Sequence, residues 1–219
     1  MFSLKEEIAK LYKNEIGLKT KFLLRDSIET ALRVHEEFVN EKKEYFDCPN
    51  RISLIGRMRT FAVERQVFND SFKEGAPYNA YFQEVNNFHQ LVLNIETDHF
   101  LFNIIRTKKY NQMPAASKYK RKNARGNNEI EGQFNLGLEE QENTEGKKYA
   151  LVTYGIDMEN KMSHIGILLP DAELKNFYGY DDLKELPNVI DGIKINQESK
   201  EESLVKLRNE MNKEIAKII

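Results

Sequence analysis

Apolar residues recur every three or four positions through the first third of the chain and every second position through its middle, so the pattern passes from helix to strand. Leu4, Ile8, Leu11 and Tyr12 share one helical face, and Gly17 ends that helix. A second helix is expected from about Asp26 to Phe46, carrying Ile28, Leu32, Val39 and Phe46, until Asp47-Cys48-Pro49-Asn50 breaks it. A third runs from about Ile52 to Lys73. It places Leu54, Met58, Phe61, Phe68 and Phe72 on one side and stops at Gly75-Ala76-Pro77.

The alternating stretches predict two hairpins. Leu91, Leu93 and Ile95 lead through Thr97-Asp98-His99 into Phe100, Phe102 and Ile104. KYALVTYGI then leads through Asp157-Met158-Glu159-Asn160 into MSHIGILL. Between them, Thr107 to Lys147 reads as a long charged loop with Phe134, Leu136 and Leu138 as its apolar anchors. Asp171 is placed to cap a short helix containing Leu174 and Phe177, and Val189 to Ile195 reads as a small strand. Leu204, Leu207, Met211, Ile215 and Ile218 form the stripe of a final helix. The expected class is α+β: an N-terminal helical layer, a central antiparallel sheet from two hairpins, and a C-terminal helix. The whole chain, 1–219, is expected to form one domain, with a helical part over about 1–75 and a mixed part over about 76–219.

Composition narrows the class without naming a function. With 40% apolar and 11% aromatic residues, the chain has enough apolar surface to build a core, which excludes wholesale disorder. A net charge of -2 provides no global attraction to nucleic acid or membrane, so any electrostatic function is local. The single cysteine, Cys48, has no partner for an internal disulfide and cannot supply a cysteine-based zinc site, which fits a reducing, cytoplasmic compartment. The opening MFSLKEEIAKLYKNE lacks a signal-type apolar core, and no run approaches the roughly 20 apolar residues of a spanning helix. No membrane association is expected, and no cofactor is implied.

Charge is distributed unevenly. From Arg106 to Asn128 there are eight positive residues and no acid, which leaves 25 positive against 35 negative residues elsewhere. Lys118, Lys120, Arg121, Lys122 and Arg125 are the densest part of this island and the candidate phosphate contacts. Tyr119 and Tyr110 offer faces on which unpaired bases stack. Asn123, Asn127 and Asn128 offer hydrogen bonds to phosphates or base edges. Against this, an acidic run from Glu129 to Glu145 follows directly, and a basic loop is also what solvation alone produces.

Other features are weaker. Arg65 falls between Phe61 and Phe68 on the third helix, where it either projects into a pocket to bind a carboxylate or phosphate or lies along the helix–sheet boundary and bonds to backbone carbonyls. His35 sits on the apolar stripe of the second helix and reads as a core histidine. Glu96 and Asp98 at one hairpin turn and Asp157 and Glu159 at the other would hold a divalent cation only if the two turns converged. No phosphate-binding loop, serine-hydrolase elbow or dinucleotide fingerprint is present. The leading expectation is a non-catalytic binding protein whose cationic segment contacts DNA or RNA. Its alternative is a protein-interaction module, such as an inhibitor, an accessory factor or an antitoxin-like partner, and a metal-dependent phosphodiesterase or nuclease stands third.

Overall fold

The computed structural model describes residues 4–86, 89–128, 146–157, 162–187 and 197–218. Helices α1 (Leu4–Glu15), α2 (Leu18–Glu41) and α3 (Arg51–Asp70) precede strands β1 (Asn79–Glu84), β2 (Leu91–Glu96) and β3 (Phe100–Arg106). Helix α4 (Lys118–Ala124), strands β4 (Lys148–Asp157), β5 (Met162–Pro170) and β6 (Phe177–Asp182), and helix α5 (Gln197–Ile218) follow. The class is α+β. The chain divides into two compact units, Met1–Leu18 with Pro77–Glu185 and Lys19–Ala76 with Leu186–Ile219. No described helix is long and apolar enough to cross a membrane.

The first unit is built on one sheet with strand order β1-β2-β3-β4-β5-β6. Both expected hairpins form, as antiparallel β2–β3 and β4–β5. Their junction is parallel, however, with Phe100 opposite Lys148 and Arg106 opposite Tyr154, so the sheet is mixed. A parallel pair needs a crossover to carry the chain back to the starting edge, and residues 107–147 supply it. Alternation along β3 and β4 sends Phe100, Phe102, Ala150, Val152 and Tyr154 to one face and Leu101, Asn103, Tyr149 and Leu151 to the other.

Helix α1 covers the first face. Tyr12 packs edge-on to Phe100 at 5.9 Å, and its hydroxyl donates to Asp181 at 2.7 Å. Burial, reinforced by that carboxylate, pushes the Tyr12 phenol well above its ordinary range, so it remains a donor. At the end of α1, Glu15 accepts from the Thr97 hydroxyl and from the His99 N–H at 2.9 Å, which ties the helix to the β2–β3 turn. On the second face Leu101, Tyr149, Leu151 and Leu168 form a core with Ala124 and Leu174.

The second unit packs α2, α3 and α5 through Leu24, Ile28, Val34, Phe38, Met58, Val63, Val67, Leu207 and Met211, all buried. Ser27 donates to Asp70 at 2.6 Å, Gln66 reaches both oxygens of Asp70 at 3.0 Å, and Gln66 also donates to Ser203 at 2.9 Å. Three helices are thereby tied to one carboxylate with 1% exposure, a burial tolerated because its lone pairs are occupied.

Several expectations shift. The second helix starts at Leu18, eight residues before the expected Asp26, and Lys43–Phe46 forms a separate 3-10 turn. The inner face of α3 holds Gln66 and Asp70, whereas Phe72, expected in the stripe, is 71% exposed. Arg65 lies over the Phe61 and Phe68 rings at 5.9 and 5.7 Å, the structural alternative, though through aromatic faces. It is Arg25, unremarked in the sequence, that is buried, donating to the carbonyls of Leu186 and Pro187 at 2.6 and 2.9 Å. His35 is a core histidine held to the Ile55 carbonyl at 3.1 Å. Asp171 caps a turn, accepting from the Lys175 and Asn176 N–H groups, and strand β6 follows where a helix was expected. Phe134, Leu136, Leu138, the acidic run from Glu129 to Glu145 and the strand expected at Val189 to Ile195 lie outside the described residues.

Candidate nucleic-acid interface

The cationic island is not a loop throughout. Ser117, in extended conformation, opens α4, and a 3-10 turn from Arg125 to Asn128 prolongs it. Helical geometry places Lys118, Arg121, Lys122 and Arg125 within an arc of about 100°, at i, i+3, i+4 and i+7. Lys120, Asn123, Ala124 and Asn127 fill an arc centred about 180° away. Burial follows the same division: the first four are exposed and the second four are buried.

The inner face is anchored by asparagine and lysine hydrogen bonds. Asn127 donates to the carbonyls of Tyr149 and Pro170 at 2.9 and 2.8 Å and accepts from the Tyr149 N–H at 2.6 Å. Lys148 donates to the Gly126 carbonyl at 2.8 Å. Gly126 is required by proximity, because a Cβ there would lie 2.6 Å from the Lys147 carbonyl oxygen. Asn123 reaches Asn103 at 3.4 Å, and the Tyr149 hydroxyl donates to the same Asn103 oxygen at 2.7 Å. Asn103 in turn donates to Asn94 at 2.7 Å, and Asn94 donates to Gln83 at 2.7 Å, so a relay of amides runs from α4 across β3 and β2 to β1. Burial, with a smaller contribution from Tyr119, holds the Tyr149 phenol well above its ordinary value, which keeps it a donor.

Lys120 belongs to this inner face. It is 8% exposed, and its ammonium donates to the Ala115 carbonyl, with burial lowering its pKa below the ordinary lysine value. Tyr119 is half-buried on the flank of α4, its ring 5.9 Å from the Lys120 ammonium. Tyr110 stands edge-on to Tyr180 at 5.0 Å and to His164 at 6.5 Å, and His164 is hydrogen-bonded to the Thr107 hydroxyl at 2.8 Å. Of the three asparagines, Asn128 alone is exposed. Arg106, Lys108 and Lys109, at the start of the crossover, are also exposed.

Glu96 and Asp98 flank the turn into β3, level with Lys148 at the start of β4, whereas the β4 backbone ends at Asp157. The nine-residue interval along β4 separates those two backbone positions by about 30 Å. Glu96 is instead engaged by the Tyr81 hydroxyl at 2.8 Å and by Lys147 at 3.5 Å. Glu159 lies outside the described residues. Among the described residues no group of three or more His, Cys, Asp or Glu side chains is placed to hold a metal ion.

Sequence reasoning missed Asn103 and Tyr149 as determinants of the site, and it gave Asn127 to phosphates or base edges where the structure buries it on Tyr149 and Pro170. The one available signal was an asparagine inside the apolar run FLFNII, since a polar side chain facing a core needs a partner. Comparison with protein-family models, curated proteins and solved structures finds no match to this chain.

Proposed function

We propose that this protein binds nucleic acid without catalysis, contacting phosphates through Lys118, Arg121, Lys122 and Arg125. The observation that carries this reading is the one-sided arrangement of α4: four exposed cations on one stripe, backed by an inner face held to the sheet by hydrogen bonds of Asn127 and Lys148. A solvated helix ordinarily mixes both signs of charge, whereas no acid occurs between Arg106 and Asn128. Anchoring the helix also means that the cations are presented in a fixed row, which lowers the ordering cost of binding.

The test is fluorescence anisotropy with labelled DNA and RNA, single- and double-stranded, at about 50 and 200 mM salt. Four phosphate contacts predict a log–log salt slope of about -2.8 for a single strand to about -3.6 for a duplex, hence an affinity loss of about 50- to 150-fold across that step. R121E/K122E is expected to abolish binding while leaving the circular dichroism spectrum unchanged. Absence of binding to every probe, or binding indifferent to R121E/K122E, would sink the reading. The stripe would then fall to the alternative of an acidic protein partner, sought by pull-down.

A further inference from the structure

We infer that the stripe engages the backbone of a duplex, independently of base sequence, rather than a single strand. This rests on the phosphate-binding reading above and concerns what the rest of the segment can do. Single-strand sites combine a cationic track with aromatic faces on which bases stack. Here both tyrosines of the island are otherwise engaged: Tyr119 is half-buried against the helix flank, and Tyr110, 45% exposed, is held edge-on by Tyr180 and His164. Of the three asparagines that would read base edges, two are turned inward as well, and Asn128 is exposed. Asn123 and Asn127 are buried on Asn103, Tyr149 and Pro170. The segment therefore presents cations outward and keeps Asn123 and Asn127 in the core.

Lys118 to Arg125 spans about 10 Å of helix axis, about the axial rise of three base-pair steps of a duplex. The inner half of α4 is buried against the sheet, so α4 offers a partner one stripe of cations. Such a row fits the outward-facing phosphates of a duplex.

The experiment titrates the intact chain with two 20-bp duplexes, one AT-rich and one GC-rich, and with their separated strands, at about 100 mM salt. The expected result is duplex binding about ten-fold tighter than single-strand binding, with the two duplexes within about three-fold of each other. Tyr110→Ala is expected to change nothing, and Arg121→Ala to reduce the duplex salt slope by about one. Tighter binding to single strands, a loss of about ten-fold on Tyr110→Ala, or a preference above about ten-fold between the duplexes would overturn the inference while leaving nucleic-acid binding intact. Failure of every probe to bind would overturn both.

Discussion

Lys120 and Lys122 are two residues apart on the same short helix and have opposite surroundings. Lys120 is buried and bonded to the Ala115 carbonyl, whereas Lys122 lies on the exposed stripe with Lys118, Arg121 and Arg125. Two positions along a helix rotate the side chain by about 200°, so the same residue type serves the interior in one case and the surface in the other. A count of charges treats them as equal. The phase of the helix on the sheet separates anchoring residues from residues that face solvent.

That division implies that inner-face changes alter stability and outer-face changes alter binding. The largest stability effect is expected at Asn127. Replacing it with alanine removes three hydrogen bonds and leaves the buried Tyr149 N–H without its acceptor, a loss of about 3 kcal/mol in a chemical denaturation series. A loss under about 1 kcal/mol would mean that the inner face does not anchor the helix.

A half-buried carboxyl in the helical unit gives the next largest effect and sharpens the contrast between two acids on one helix. Asp70 is surrounded by donors, whereas burial alone pushes the Glu64 carboxyl from 4.5 up to about 7. A raised folded-state pKa means that the folded protein holds the proton more tightly than the unfolded chain. Stability therefore falls as pH rises from about 4.5 through about 7 and is level above that. Glu64→Gln is expected to stabilise the protein by about 1–3 kcal/mol at pH 8 and by nothing measurable at pH 4, where both states are protonated. Equal effects at the two pH values would remove burial of the ionised form as the cause.

Lys120→Met is the smallest and the most discriminating. It exchanges one hydrogen bond and a buried amine for an apolar chain of similar length, so stability is expected to move by less than about 1 kcal/mol. Binding to duplex is expected to stay within about two-fold of the wild type, whereas Lys122→Glu weakens it by more than ten-fold. If Lys120→Met weakens binding as much as Lys122→Glu does, the separation of the two faces is wrong.

The regions that periodicity read well are those whose buried faces are apolar. The hairpins β2–β3 and β4–β5 and the helix carrying Leu207, Met211 and Ile215 belong to this group. It failed where the buried face is polar. Helix α4 turns Lys120, Asn123, Ala124 and Asn127 inward, a set in which only the alanine is apolar, so no stripe marks it as a packed helix. On α3 the apolar signal pointed to Phe72, while Gln66 and Asp70 occupy the interior. In each case the partners lie far away in the chain: Asn127 with Pro170, Asn103 with Tyr149, Ser27 with Asp70. A local window cannot register a satisfied polar contact at that separation.

By itself the sequence determined the α+β class, the two hairpins, and the position of a cationic island on an otherwise acidic chain. Each of these is written in residue type and spacing, and spacing is local. Tertiary structure decided the parallel junction of the hairpins, the separation of the β2–β3 turn from the end of β4, and which cations of the island face outward. Those outcomes follow from how the crossover returns to the sheet and which amides receive it, and they depend on pairings between segments that no local pattern encodes.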